Sequence, residues 1–116
     1  LGTEPGEIIV AGYSFGAYVC ASAALQDEMV SASILVSPPI DMMDFGPLKS
    51  GGLRVLFIAG DSDPYCPIPS LEAFRNEMAA ENNLEVVQGA DHFYFGMDET
   101  ITRLAAQFLE SPPPRP

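Results

Sequence analysis

Three residue types that together perform acyl transfer occur in this chain, in the order serine, aspartate, histidine. Ser14 is the centre of a Gly-x-Ser-x-Gly motif, Asp61 and Asp63 share a turn-rich loop, and His92 is the only histidine. A serine hydroxyl becomes a strong nucleophile when a histidine takes its proton, and a carboxylate fixes the histidine tautomer. The set predicts a nucleophile, a general base and an orienting acid, and either aspartate could be that acid.

The serine motif lies between a predicted strand and a predicted helix. Glu7–Ala11 is a short, β-branched apolar run, and an alanine-rich helical segment extends from Phe15 to about Met29. A strand, a tight turn and a helix in this order are typical of a nucleophile elbow. Gly12 and Gly16 are expected to leave room for the bend, and the N–H of Phe15 is expected to donate to a developing oxyanion.

The rest of the chain predicts a parallel α/β sheet. Further strands are expected at Ser33–Ser37, Arg54–Ala59 and Leu84–Gln88, all paired in chain order because short right-handed crossovers favour adjacent strands. A helix is expected from Leu71 to about Ala80, with Ser70 as its N-cap and a left-handed exit at Asn82 and Asn83. A last helix is expected from Asp98 onward, on the face of the sheet opposite the other two helices. In such sheets ligands bind beyond the carboxyl ends of the strands, where Ser14, the two aspartates and His92 all fall.

Composition restricts the class of protein. The 116 residues suit one domain, predicted over residues 1–110, with a Pro-rich tail at 111–116. A net charge of −11 opposes binding to nucleic acid or to an anionic membrane surface, and no apolar run approaches a membrane span. Cys20 and Cys66 are two thiols without a metal-binding or disulfide spacing, which indicates a reducing, cytoplasmic location.

Three motifs carry a resemblance to a known family. They are Gly12-Tyr13-Ser14-Phe15-Gly16, Gly60-Asp61-Ser62-Asp63 followed by Pro67, and Gly89-Ala90-Asp91-His92-Phe93. In these motifs the chain resembles the C-terminal half of an α/β-hydrolase, with the small dienelactone-hydrolase-like branch as the closest type.

The resemblance implies a serine hydrolase, such as a carboxylesterase, that acts on an ester or related acyl bond of a small molecule. Ser14 would attack, His92 would move the proton, and Asp63 would be the acid because the family's acid usually stands three residues after the glycine. The N–H of Phe15 would form half of the oxyanion hole. No metal or organic cofactor is implied.

The resemblance also implies that something is missing. The family has about four more strands before the elbow, and one loop among them donates the second oxyanion N–H, which Leu1–Gly6 cannot supply. We therefore expect the first strand to pair with a missing N-terminal segment or with a second copy in a homodimer. The alternatives are a non-catalytic domain of the same fold, used for binding or as a scaffold, and a nucleotide-binding domain, although the serine motif lacks the glycine spacing of a phosphate-binding loop.

Several residues near the motifs have two possible roles. Tyr13, Met42, Met43 and Phe93 are candidates for a substrate pocket. The two methionines could equally anchor their loop, and Phe93-Tyr94-Phe95 could instead pack under the last helix. Asp91 is expected to stabilise a turn, and Cys66 to be a small buried filler rather than a nucleophile.

Overall fold

Four strands form one parallel sheet in the computed structural model, which describes residues 8–94 and 96–110. The strands are β1 (Ile8–Tyr13), β2 (Val30–Val36), β3 (Arg54–Gly60) and β4 (Asn82–Val87). They pair in chain order and every pair is parallel, which confirms the predicted fold class and strand order. The predicted lead-in at Leu1–Gly6, the strand start at Glu7, Phe95 and the tail at 111–116 lie outside the described residues, and the domain limits remain a prediction.

In the described part of the chain, three helices and one short 3-10 turn connect and cover the strands. They are α1 (Phe15–Ala24), α2 (Ile68–Asn76) and α3 (Asp98–Glu110), with the 3-10 turn at Gly46–Lys49. The predicted extension of the first helix to Met29 is wrong. The helix ends in a turn of 3-10 type, in which Gln26 N–H bonds to Ala23 O and Asp27 N–H bonds to Ala24 O.

The start of α2 also differs from the prediction. Pro67 occupies the N-cap position, and Ser70 lies inside the helix with its hydroxyl donating to Asp41 Oδ2 at 2.7 Å. The preset backbone angle of proline suits this entry, so a serine cap three residues later is not used. Ser70 instead fastens the loop before the 3-10 turn to α2.

Asn82 and Asn83 do not form a left-handed helix exit but belong to β4. The Asn82 side chain bonds with the end of α2 in both directions. Arg75 Nε donates to Asn82 Oδ1 at 3.0 Å, and Asn82 Nδ2 donates to Arg75 O at 3.3 Å. These contacts, which a sequence window does not show, hold Asn82 at the first position of the strand.

The sheet has an apolar core on each face. Alternate residues of β3 point to opposite faces: Val55 and Phe57 to one, Leu56 and Ile58 to the other. The first core contains Ala17 and Ala21 of α1 and Leu71 of α2, while the second contains Leu104 and Phe108 of α3. The prediction that the last helix covers the face opposite the other two is therefore confirmed. None of the described helices is long and apolar enough to cross a membrane.

β1 lies at the edge of the described sheet. Its one neighbour among the described strands is β2, and Val10 packs against the core under α1. On the α3 side, Ile9 and Tyr13 are exposed. Within the described residues, β1 is less buried than β3 on both faces.

Candidate active site

The turn that presents Ser14 has a strained backbone. Ser14 has φ 55° and ψ −124°, which a non-glycine residue rarely adopts, and it immediately precedes α1. Its N–H bonds to Val36 O at 2.9 Å, so the pairing of β1 with β2 continues through the turn. A β-carbon on Gly12 would lie 2.4 Å from Gly16 O, and the bend therefore requires glycine at position 12.

Gly16 does not have the steric role expected for it. A β-carbon there would meet no described atom within 4 Å. Gly16 lies in the first turn of α1, on a surface that the described residues leave open. Of the two glycines in the motif, the fold of residues 8–94 and 96–110 thus requires only Gly12.

Ser14, His92 and Asp63 form a chain of hydrogen bonds. Ser14 Oγ lies 2.6 Å from His92 Nε2, and His92 Nδ1 lies 2.8 Å from Asp63 Oδ2. An ionised carboxylate only accepts hydrogen bonds, so Nδ1 carries the proton, and Nε2 of a neutral ring is then free to accept from the Ser14 hydroxyl. Both predicted contacts are present, and it is Asp63 rather than Asp61 that reaches the ring.

Asp63 is nearly enclosed, with 4% of its surface exposed. Its second oxygen, Oδ1, accepts the backbone N–H of Tyr65 at 2.8 Å, so both carboxylate oxygens are bound. The ring of Tyr65 in turn packs edge-on against the His92 ring, with 4.9 Å between centroids. One short loop therefore fixes both the acid and one side of the histidine, which is itself 9% exposed.

Asp61 connects the loop after β3 to the loop that carries His92. Its Oδ1 accepts the N–H of Gly89 at 2.8 Å, and Ser62 N–H donates to Ala90 O at 3.0 Å. At Gly60 a β-carbon would lie 2.2 Å from Ala90 O. The loop after β3 and the loop that carries His92 are therefore in close contact. In the sequence, the one indication of this contact was Gly60 at the end of the strand.

The histidine loop is shaped by Asp91 and closed by Tyr94. Asp91 Oδ1 accepts N–H bonds from Phe93 at 2.9 Å and Tyr94 at 3.1 Å, which confirms its predicted role in a turn. The Tyr94 hydroxyl lies 2.5 Å from Ser37 Oγ. Burial raises the pKa of the Tyr94 phenol to about 12, so it remains a protonated donor below that pH.

Tyr13 is not among the residues that line the cleft beside Ser14, which corrects its assignment to the substrate pocket. Its ring packs against His92 and Tyr94, with centroid distances of 5.5 and 6.3 Å. Its hydroxyl donates to the backbone carbonyl oxygen of His92. Burial and, less strongly, the charges of Asp63 and Asp91 raise the pKa of this phenol and keep the hydrogen on it. Tyr13 therefore joins the elbow to the histidine loop.

A cleft of about 360 Å³ opens beside the hydroxyl of Ser14. Its lining residues are Ser14, Phe15, Pro39, Met42, Met43, Tyr65, His92 and Phe93. The predicted pocket residues Met42, Met43 and Phe93 all contribute. Met43 also packs against the core under α1, so it anchors its loop as well. Tyr94, by contrast, is buried in the core under α3, as the packing alternative predicted.

Cys66 follows the acid loop but is not placed as a nucleophile. Its side chain is fully buried in the core beneath α1 and α2. Burial, with the charges of Asp63 and Asp41, raises the pKa of the thiol to about 12. A thiol of this kind stays protonated near neutral pH, which agrees with its prediction as a buried filler.

Solved structures with a similar fold include serine hydrolases and esterases. An α/β serine hydrolase homologue from Coxiella burnetii matches with a TM-score of 0.80 and 32% identity, over 88% of this chain and 49% of that one. The chain has the fold of the α/β-hydrolase superfamily and is similar in sequence to this homologue. A search against models of protein families finds no match.

Two more distant structures show a similar fold. One is an α/β serine hydrolase without a lid from Xanthomonas campestris, with a TM-score of 0.67 and 23% identity over 90% of this chain and 49% of that one. The other is a thermophilic esterase from Thermogutta terrifontis with propionate bound, with a TM-score of 0.73 and 17% identity over 90% of this chain and 55% of that one. The chain thus spans about half the length of each hydrolase it matches.

Proposed function

We propose that the chain carries the catalytic triad of a serine hydrolase that acts on ester or related acyl bonds of small molecules. The observation that carries the proposal is the hydrogen-bonded series from Ser14 Oγ through His92 to Asp63. It ends at the cleft, on a strained turn that exposes the hydroxyl. An ordinary turn serine has no need of this backbone strain.

Each residue of the series has a defined task in the proposed reaction. Ser14 Oγ attacks the carbonyl carbon of the ester while His92 Nε2 takes the hydroxyl proton. Asp63 stabilises the resulting imidazolium through Nδ1–H. His92 then gives the proton to the departing alkoxide, which leaves an acyl-serine. In the second half, His92 takes a proton from water, the hydroxide displaces Ser14, and the proton returns to Oγ.

The start of α1 supplies one donor to the oxyanion. Phe15 is the first residue of the helix, so its N–H has no acceptor within the helix and lies at the positive end of the helix dipole. An N–H in this place stabilises negative charge on the carbonyl oxygen during attack. We propose that the second donor comes from a segment outside the described residues.

The finer placement of the chain is also part of the proposal. We place it with the small dienelactone-hydrolase-like carboxylesterases, because its motifs resemble theirs. We place it in the cytoplasm, because both Cys20 and Cys66 are free thiols in the structure. Expression of the natural gene with a fluorescent tag would test the second placement, and export from the cell would contradict it.

A fluorophosphonate probe tests the proposed nucleophile directly, because it bonds covalently to an activated serine. We expect one label, at Ser14, found by mass spectrometry of the digested protein. Ser14→Ala should abolish the label, and Ser62→Ala, which alters an exposed serine within the acid loop, should retain it. A folded protein without label, and without hydrolysis of 4-nitrophenyl esters, would favour the non-catalytic alternative.

A further inference from the structure

The rim of the cleft exposes large apolar side chains. Phe15, Met42 and Phe93 are 61%, 67% and 63% exposed, and all three line the space beside Ser14. The free energy falls when an apolar ligand covers a surface of this kind. A charged group must lose water to enter, and apolar side chains offer it no hydrogen bond or ion pair in return. The lining therefore favours an apolar substrate on both sides of the nucleophile.

Three carboxylates adjoin residues that line the cleft. Asp63 accepts from His92 Nδ1, Asp91 directly precedes His92, and Asp41, which accepts from the Ser70 hydroxyl, directly precedes Met42. Their charges act on neighbouring groups on both sides of the site. Asp63 and Asp91 contribute to the raised pKa of Tyr13, and Asp63 and Asp41 to the raised pKa of Cys66. The three carboxylates therefore contribute negative potential at the site.

Three of the four basic side chains of the described residues, all except Arg103 of α3, are engaged at the other edge of the sheet. Lys49 pairs with Glu77 at 2.9 Å, Arg54 at the start of β3 pairs with Glu81 at 3.5 Å, and Arg75 in the last turn of α2 pairs with Glu72 at 3.1 Å. The cleft lies at the carboxyl ends of the strands, which is the opposite edge. These cations therefore compensate glutamates far from the site rather than the aspartates around it.

We infer that the cleft selects esters whose acyl group is small, apolar and uncharged, and that it rejects esters of the same shape that carry a carboxylate. This inference rests on the proposed hydrolase function and adds its substrate class. The three exposed apolar side chains supply the favourable contact, and the three aspartates supply the repulsion. Within the described residues the cleft has a volume of about 360 Å³, near the lower limit of small-molecule pockets, which favours a small acyl group.

Two isosteric substrates separate charge from shape. The acyl group of 4-nitrophenyl 4-methylpentanoate has the same number and branching of heavy atoms as that of 4-nitrophenyl hemisuccinate, which ends in a carboxylate. We expect kcat/KM for the uncharged ester to exceed that for the hemisuccinate by at least about ten-fold at low salt, because like charges repel strongly in a partly desolvated cleft. The ratio should shrink in about 0.5 M NaCl, where the Debye length is only a few ångströms.

A charge placed on the rim should reverse the preference. Met42→Lys puts an ammonium beside the cleft and should raise kcat/KM for the hemisuccinate by several-fold without an equal gain for the uncharged ester. Gln26→Lys is the matched control, since it adds the same charge beyond the far end of α1. It should leave the ratio of the two substrates unchanged.

The possible outcomes distinguish this inference from the proposed function. Equal hydrolysis of both esters, or a ratio that Gln26→Lys changes as much as Met42→Lys, would overturn the inference and leave the hydrolase function standing. Hydrolysis of neither ester, together with no fluorophosphonate label at Ser14, would overturn the proposed function and this inference with it.

Discussion

The hydroxyl of Tyr13 donates a hydrogen bond to the backbone carbonyl of His92. Tyr13 is the residue directly before Ser14, so the same turn that presents the proposed nucleophile also holds the loop that carries the proposed base. The Tyr13 ring supports this bond by packing against His92 and Tyr94. The distance between Ser14 Oγ and His92 Nε2 is therefore fixed from both ends.

Tyr13→Phe should lower kcat more than it changes KM, because it keeps the ring and removes only the bond to the histidine loop. A displacement of about 1 Å between reacting groups costs up to about 100-fold in rate, so we expect a loss of between about 10- and 100-fold. Steady-state kinetics with 4-nitrophenyl butyrate measure it. Tyr18→Phe, whose ring packs on Phe45 instead, is the control and should retain activity. Equal losses in the two variants would contradict a positioning role for Tyr13.

The two aspartates of the acid loop should differ strongly in their effect on activity. Asp63→Asn removes the acceptor of His92 Nδ1–H and should lower kcat on the order of 10³–10⁴-fold, as the loss of a triad carboxylate does. Asp61→Asn keeps an oxygen that can accept the Gly89 N–H and should lose less than about ten-fold. Kinetics of both variants at the same pH test the assignment. A larger loss in Asp61→Asn would reverse it.

The sequence predicted the parts of the site that depend on local order. The strand before Ser14 and the position of His92 after β4 follow from short patterns, and with Asp63 they predicted the contacts in the structure. The bond from Asp61 to Gly89 joins residues 28 positions apart, and that from Tyr13 to His92 joins residues 79 apart. Such contacts arise only when the loops pack together, so no sequence window contains them.

The ends of the helices were less predictable for a related reason. Several backbone arrangements are nearly equal in free energy at a helix end, and contacts with other elements choose between them. In α2 the bond from Ser70 to Asp41 and those between Arg75 and Asn82 make this choice. The exposure of one side of β1 also could not be predicted. Its apolar residues indicate that the strand favours burial, but they do not show whether a neighbouring element covers it.

The two glycines of the elbow should respond in opposite ways to alanine. A methyl group on Gly12 would collide with Gly16 O and with Cys20 Cβ, at 2.4 and 2.8 Å. We expect Gly12→Ala to lower the free energy of unfolding by more than about 2 kcal/mol. Gly16→Ala meets open space in the described structure and should raise the free energy of unfolding by less than about 1 kcal/mol, because alanine favours helices. Urea denaturation of both variants gives the comparison, and similar losses would refute it.

Alkaline pH should destabilise the fold through Cys66. Burial raises its pKa from 9.0 to about 12, so between these values the unfolded chain releases a proton that the folded chain retains. The stabilising effect is complete below pH 9 and is lost as the pH rises toward 12, by up to about 1.4 kcal/mol per pH unit. The free energy of unfolding of Cys66→Ala should therefore fall less steeply between pH 9 and 11 than that of the natural chain. Parallel curves for the two proteins would show that the thiol does not titrate differently on folding.

The open edge of β1 should be paired with another strand in the functional protein. One side of this apolar strand bonds to β2, and its other backbone groups face outward beside the exposed side chains of Ile9 and Tyr13. Such an edge readily pairs with another strand, so we expect a strand from outside residues 8–110, or β1 of a second copy, to cover it. Light scattering after size-exclusion chromatography should then show the 116-residue chain as a dimer or larger species.

Ile9→Lys should shift the association equilibrium toward the monomer, because a charge on an edge strand opposes pairing with another strand. Leu109→Lys, on the exposed side of α3, should not shift it. A stable monomer that unfolds cooperatively would contradict the prediction and show that the β1 edge needs no partner.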